Sequence, residues 1–188
     1  MAKARPITGL DAQAPLATNA RLIAKERLAE LYQWDHSVDN PYNIRELHDL
    51  RIAAKRLRYT FEVFEEVLPA ASEAIVNELT QIQDELGAVH DSDVMIALLR
   101  MCLVGQDSDM RDGNRHSSHG KKALVPAKMA AYLLDPSAAP DVEQRYGLEQ
   151  YLQQQEHLRA QYYSAFRQHW YQLQARDFRR EILDTLNE

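Results

Sequence analysis

Residues 47 to 59 read LHDLRIAAKRLRY, one histidine and four cations in a short stretch of a chain whose net charge is −6. Like charges at helical spacing repel one another, so gathering them calls for a compensating ligand or partner. On a wheel turning about 100° per residue, His48, Arg51, Lys55, Arg58, Tyr59 and Glu62 form one polar face. Leu47, Leu50, Ala54, Leu57, Phe61 and Phe64 form an apolar stripe directly beside it. Arginine suits oxyanions because its planar fork meets two oxygens at once, and an imidazole adds charge near neutral pH. The simplest alternative is a solvated face with an Arg58–Glu62 ion pair one turn apart. Cations elsewhere weigh against it. Arg21 and Lys25 fall within or beside the arc of Ala17, Ala24, Leu28, Leu31 and Tyr32, and Arg159 falls inside the arc of Leu148, Leu152, Leu158, Tyr162 and Phe166. An inward arginine is costly unless it is paired, faces a wet cavity, or snorkels from the end of a bundle. Taken together, these positions describe a positively lined groove for a polyanion with closely spaced charges.

The elements that must carry these residues are helices. Apolar periodicity predicts four: 16–34, ending before Pro41; 43–68, stopped by Pro69; 72–104, interrupted or bent at Gly87; and 148–173, with an extension towards Leu186 left open. Asn43 and Glu46 have the spacing of a capping box. Residues 105–122 are polar and rich in Gly, Ser and Asp, which predicts a mobile loop. PAKMAAYLLD reads as a short helix opened by Pro126. The expected fold is all-α, an antiparallel four-helix bundle with a long loop between the third and fourth helices. One domain covers 16–188, with 1–15 as an N-terminal extension and 105–145 as an insertion within it.

Composition bounds the function. A chain of 188 residues with 27% charged and 45% hydrophobic residues fits one globular domain. Cys102 is alone, so no internal disulfide forms and a reducing cytoplasm is expected. The N-terminal stretch lacks the apolar core of a signal peptide, and no run has the length of a membrane span. The acidic net charge argues against a protein that coats nucleic acid over its whole surface, so an anion must be met by a local patch.

Other constellations point more weakly to chemistry. His48-Asp49 and His90-Asp91 are the dipeptides of HD-type metal phosphohydrolases, which require further converging ligands. His36 sits in a turn, and Asp49 lies about 100° round the helix from His48. His116 and His119 could chelate a metal, and Lys121 and Lys122 could touch phosphate, but all four suit a solvated loop. Asp91 and Asp93 fit helix capping better than Mg²⁺ or Ca²⁺ binding. Cys102 reads as a buried, inert thiol. Trp34, Trp170 and the tyrosines read as core and interface residues rather than base-stacking platforms, because no basic–aromatic alternation accompanies them. There is no GxxxxGK[ST] loop.

LHDLRIAAKRLRYTFEVF resembles the signature helix of the CHAD family, the conserved-histidine α-helical domains, at His48, Arg51, Lys55, Leu57, Arg58, Tyr59 and Glu62. IQDELGAVHDSDV resembles the stretch that follows it, at Gln83, Leu86, Gly87, Asp91 and Val94. The resemblance covers residues 45–104 well, and residues 148–173 only in style. It implies a helical domain that binds inorganic polyphosphate on a basic surface, is not an enzyme and needs no cofactor or metal. His48, Arg51, Lys55 and Arg58 would then touch phosphate, helped by Arg21, Lys25 and Arg159. Glu62 would orient Arg58, Tyr59 would support the face, and Asp91 would serve as a cap or ion-pair partner. The expected location is cytoplasmic, with polyphosphate granules as the natural site. Typical members hold two such halves related by a pseudo-twofold axis. Here the signature occurs once, in the form of the second half, which suggests that a homodimer restores the arrangement. Tyr162, Tyr163, Phe166, Trp170 and Tyr171 are the expected suppliers of its contact. The rival functions are a structural bundle docking an acidic partner and, third, a metal-dependent phosphohydrolase.

Overall fold

The computed structural model describes residues 4–104, 124–134 and 140–187. Among them it is all-α: α1 (Leu16–Tyr32), a 3-10 turn (Asp35–Asp39), α2 (Ile44–Val63), α3 (Ser72–Val104), α4 (Ala127–Leu133), α5 (Val142–Ala175) and α6 (Phe178–Thr185). The four long helices expected from periodicity are α1, α2, α3 and α5. None of the described helices is long and apolar enough to cross a membrane. The expected loop residues His116, His119, Lys121 and Lys122 lie outside the described residues.

The chain divides into two compact units. The first comprises residues 1–88 and 162–188, and the second residues 89–161. In the first, α1 packs against α2. Small residues allow it: Ala20 and Ala24 of α1, and Ala53 and Ala54 of α2, are fully buried. Around them Leu28, Leu31, Leu50, Leu57, Phe61 and Phe166 close the core. Each such side chain contributes about 1.5–3 kcal/mol on burial.

The C-terminal part of α5 holds the 3-10 turn between α1 and α2. Tyr163 Oη donates to the Val38 carbonyl at 2.6 Å, and Trp170 Nε1 to Asp35 Oδ1 at 2.7 Å. Gln174 Nε2 also donates to Asp35 at 2.7 Å, and Tyr171 Oη donates to Asp39. Tyr163, Phe166 and Trp170 are therefore spent on the protomer's own core. Of the five aromatic residues expected to supply a dimer contact, only Tyr162 and Tyr171 are exposed.

Two local expectations are corrected, and one point left open is resolved. α3 runs unbroken through Gly87, where a Cβ would meet nothing within 4 Å. A helical glycine costs only about 1 kcal/mol relative to alanine, and the packing of Leu86 and Val89 outweighs it. Asp91 and Asp93 thus lie inside a helix and cap nothing. The Asn43–Glu46 capping box does not form: Asn43 makes no cap bond, and its Oδ1 accepts from Asn40 Nδ2 at 3.1 Å. The last helical stretch is not continuous either. Asp177, with φ 56°, takes the left-handed conformation that Asp tolerates and separates α5 from α6.

α3 and α5 are also joined within the first unit. His169 lies between two carboxylates, with Nδ1 at 2.8 Å from Glu85 Oε2 and Nε2 at 3.0 Å from Glu78 Oε2. Arg176 Nη2 donates to Glu78 at 2.9 Å. Burial pushes the Glu78 carboxyl up, but the hydrogen bonds from His169 and Arg176 outweigh it and hold the group below its ordinary 4.5. A carboxyl lowered in the folded state stabilises the fold above its ordinary value, and that contribution is lost as pH falls through the lowered one. Glu78→Gln should therefore melt earlier than the parent at about pH 7, and lose less of its melting temperature on acidification below about pH 4.5. Thermal melts across that range check both halves of the expectation.

Candidate anion-binding site

The second face of α2 carries the cations. His48, Arg51, Lys55 and Arg58 are all half-buried, beside the buried stripe of Leu47, Leu50, Leu57 and Phe61. The register of the stripe fixes the register of the basic face, because both belong to one rigid helix. Arg58 Nη1 lies 3.5 Å from Glu62 Oε1, the expected pair one turn apart. Tyr59 is exposed, with Lys55 Nζ 5.3 Å and Arg58 Cζ 5.0 Å from its ring centroid.

The half-buried arginines fall into two groups. Arg27 and Arg56 share Glu30, a carboxylate only 3% exposed: Arg27 Nη1 donates to Oε2 at 2.7 Å and Arg56 Nη1 to Oε1 at 3.2 Å. The Arg5 backbone N–H also donates to Glu30, at 2.8 Å, which fastens the N-terminal extension to the same point. Arg21 of α1 and Arg51 of α2 behave differently. Their Nε atoms are buried without a hydrogen-bond partner, and among the described residues neither guanidinium has a carboxylate within salt-bridge distance. The Nε of Arg58 is likewise buried and unbonded, as is Gln83 Oε1 on α3. A buried donor without an acceptor is costly, and a guanidinium more so, because it keeps its charge. An oxyanion has the acceptors that the three arginine Nε–H donors lack, whereas Gln83 Oε1, itself an acceptor, would need a donor.

The remaining expected site residues lie elsewhere. Lys25 is exposed and donates from Nζ to Asn187 Oδ1 at 2.8 Å. Arg159 belongs to the second unit, where its Nε donates to Asp93 Oδ1 at 2.5 Å, with side-chain exposures of 13% and 5%. Its inward position on α5 is that of a paired structural arginine. Asp91 is an exposed residue inside α3, 3.4 Å from the ring of its neighbour His90. Arg159→Ala should leave Asp93 charged and buried, costing on the order of 3 kcal/mol of stability, whereas Arg159→Met with Asp93→Asn should recover much of it. Denaturant unfolding of the two variants measures the difference.

Glu30 and Arg56 did not stand out in the sequence. The only signal was the Arg27–Glu30 spacing, which also fits an ordinary surface pair. Of the tryptophans, Trp170 is core, while Trp34 is half-buried and stacks on His36 with centroids 6.5 Å apart. Cys102 is half-buried rather than buried. Among the described residues, no three His, Cys, Asp or Glu side chains are grouped as metal ligands.

No curated protein and no solved structure matches the chain. A family model described as the CHAD domain matches residues 3–100, just over half of it. That segment contains α1, α2 and the cations Arg21, Lys25, Arg51, Lys55 and Arg58. The chain belongs to the CHAD domain family.

Proposed function

We propose that this protein binds inorganic polyphosphate, or a similar phosphate polyanion, on the half-buried cationic surface of α1 and α2, and that it does so without catalysis. The observation that carries this reading is the pair of arginines, Arg21 and Arg51, whose buried Nε atoms have no hydrogen-bond partner among the described residues. Family membership supports it, because the CHAD domain is in general a polyphosphate-binding domain. His48 and Lys55 extend the basic face along α2, and Glu62 holds one side of Arg58. The ligand is anionic throughout its length, so a row of cations on one helix meets successive phosphates without needing base or sugar contacts. A cytoplasmic location, at polyphosphate granules, follows from the same ligand.

Calorimetric titration against long-chain polyphosphate and an acidic peptide of matched charge tests the reading. Saturable binding of polyphosphate with weak or absent peptide binding supports it, and the reverse preference favours a protein partner. The single signature helix leads us to add a homodimer in which two basic faces meet one ligand. Light scattering should then show a doubling of mass, at least with polyphosphate present, and a monomer under both conditions would end that part of the proposal.

A further inference from the structure

Tyr59 lies on the basic face, yet it can make no ion pair with a phosphate. It is 44% exposed, so it adds little to the core. Two cations nevertheless converge on its ring: the Lys55 ammonium at 5.3 Å and the Arg58 guanidinium at 5.0 Å from the centroid. Both distances are within the roughly 6 Å over which the ring's electron-rich face attracts a cation. Lys55 reaches Tyr59 from one turn away, where helical neighbours meet. Arg58 is adjacent in sequence, so its side chain must fold back to reach the ring. Glu62 holds the same guanidinium at 3.5 Å from the far end.

We infer that Tyr59 is a positioning residue for the anion site, ordering Lys55 and Arg58 before a ligand arrives. Long cationic side chains lose much rotamer freedom when fixed, and binding is weakened by whatever part of that loss remains to be met on association. The ring meets part of it in the free protein. It also holds two like charges close together on one face, where they would otherwise swing apart. The inference rests on the proposed anion site for its consequence, but the ordering itself is a property of the free protein.

Two measurements separate these levels. In the ligand-free protein, NMR should show the Lys55 ε-methylene and Arg58 δ-methylene protons shifted upfield by the ring. The shifts should persist in Tyr59→Phe and vanish in Tyr59→Leu, with melting temperatures nearly unchanged. Ordinary shifts in the parent overturn the ordering, whatever the ligand proves to be. In titrations with linear polyphosphate of defined length, Tyr59→Leu should bind about three- to tenfold more weakly, and Tyr59→Phe within about twofold of the parent. A leucine variant that binds like the parent, or a phenylalanine variant as weak as leucine, overturns the positioning role while leaving the anion site intact. A parent that shows the ring shifts but binds no polyphosphate removes the anion site and this role with it.

Discussion

Arg51→Ala should weaken polyphosphate binding by about tenfold to a hundredfold and leave the melting temperature unchanged or slightly raised. A hydrogen bond to a charged group contributes about 1.5–3 kcal/mol, and each 1.4 kcal/mol is a factor of ten in affinity. The stability half of the expectation is the more telling. Removing an arginine that pairs a buried carboxylate destabilises a fold, as expected for Arg159 with Asp93. Removing one whose buried Nε has no acceptor relieves a strain instead. Arg21→Ala should behave in the same way. Arg58→Ala should lose at least as much affinity, because it also frees Glu62 to repel the ligand, but it gives up the Glu62 pair and the Tyr59 contact. Titration and thermal melts on the same preparations separate the two kinds of arginine. If Arg51→Ala loses stability while keeping its affinity, Arg51 is a structural residue and the site is misassigned.

The second large effect is salt. Affinity for a polyanion falls with the logarithm of salt roughly in proportion to the phosphates neutralised, because binding releases condensed counterions. With Arg21, Arg51, Lys55 and Arg58 in contact, affinity should drop about a hundredfold between roughly 50 and 200 mM salt. An acidic protein docked partly through apolar surface would lose much less, since burial of apolar area is not screened. Calorimetry at four or five salt concentrations gives the slope. A flat response would rule out the electrostatic account.

How far the sequence reached is clear from particular residues. The α2 stripe and the basic face beside it were legible because Leu47, Leu50, Leu57 and Phe61 recur at helical spacing, and a single helix fixes both faces together. Of the small residues that bring α1 against α2, Ala24 and Ala54 were placed on apolar stripes and Ala20 and Ala53 were not, and the sequence did not say which helix they would meet. A wheel tells which way a side chain points, and nothing about what it meets. Arg21 and Arg159 both pointed inward by that measure. One has no carboxylate partner among the described residues, and the other meets Asp93, 66 residues away. Glu30 was nearly invisible for the same reason, since beyond Arg27, one turn away, its partners are Arg56 of α2 and the backbone of Arg5. Local signals failed where packing outweighed them. Gly87 looked like an interruption, yet α3 continues through it, and that continuity removed the capping role expected of Asp91. Phe166 already lay on an apolar arc, but Tyr163 and Trp170 looked like contact residues for a partner because no periodic argument showed that the 3-10 turn and α1 would cover them.

The most direct measurement is two-dimensional NMR of the arginine Nε–H groups during a titration with linear polyphosphate. The Nε–H signals of Arg21, Arg51 and Arg58 should move progressively and saturate together, because these are buried donors for which the described residues supply no acceptor. The signal of Arg159, whose Nε already donates to Asp93, should stay where it is. Saturable binding with the Arg21, Arg51 and Arg58 signals unmoved would contradict the account, and so would a protein that does not bind polyphosphate at all.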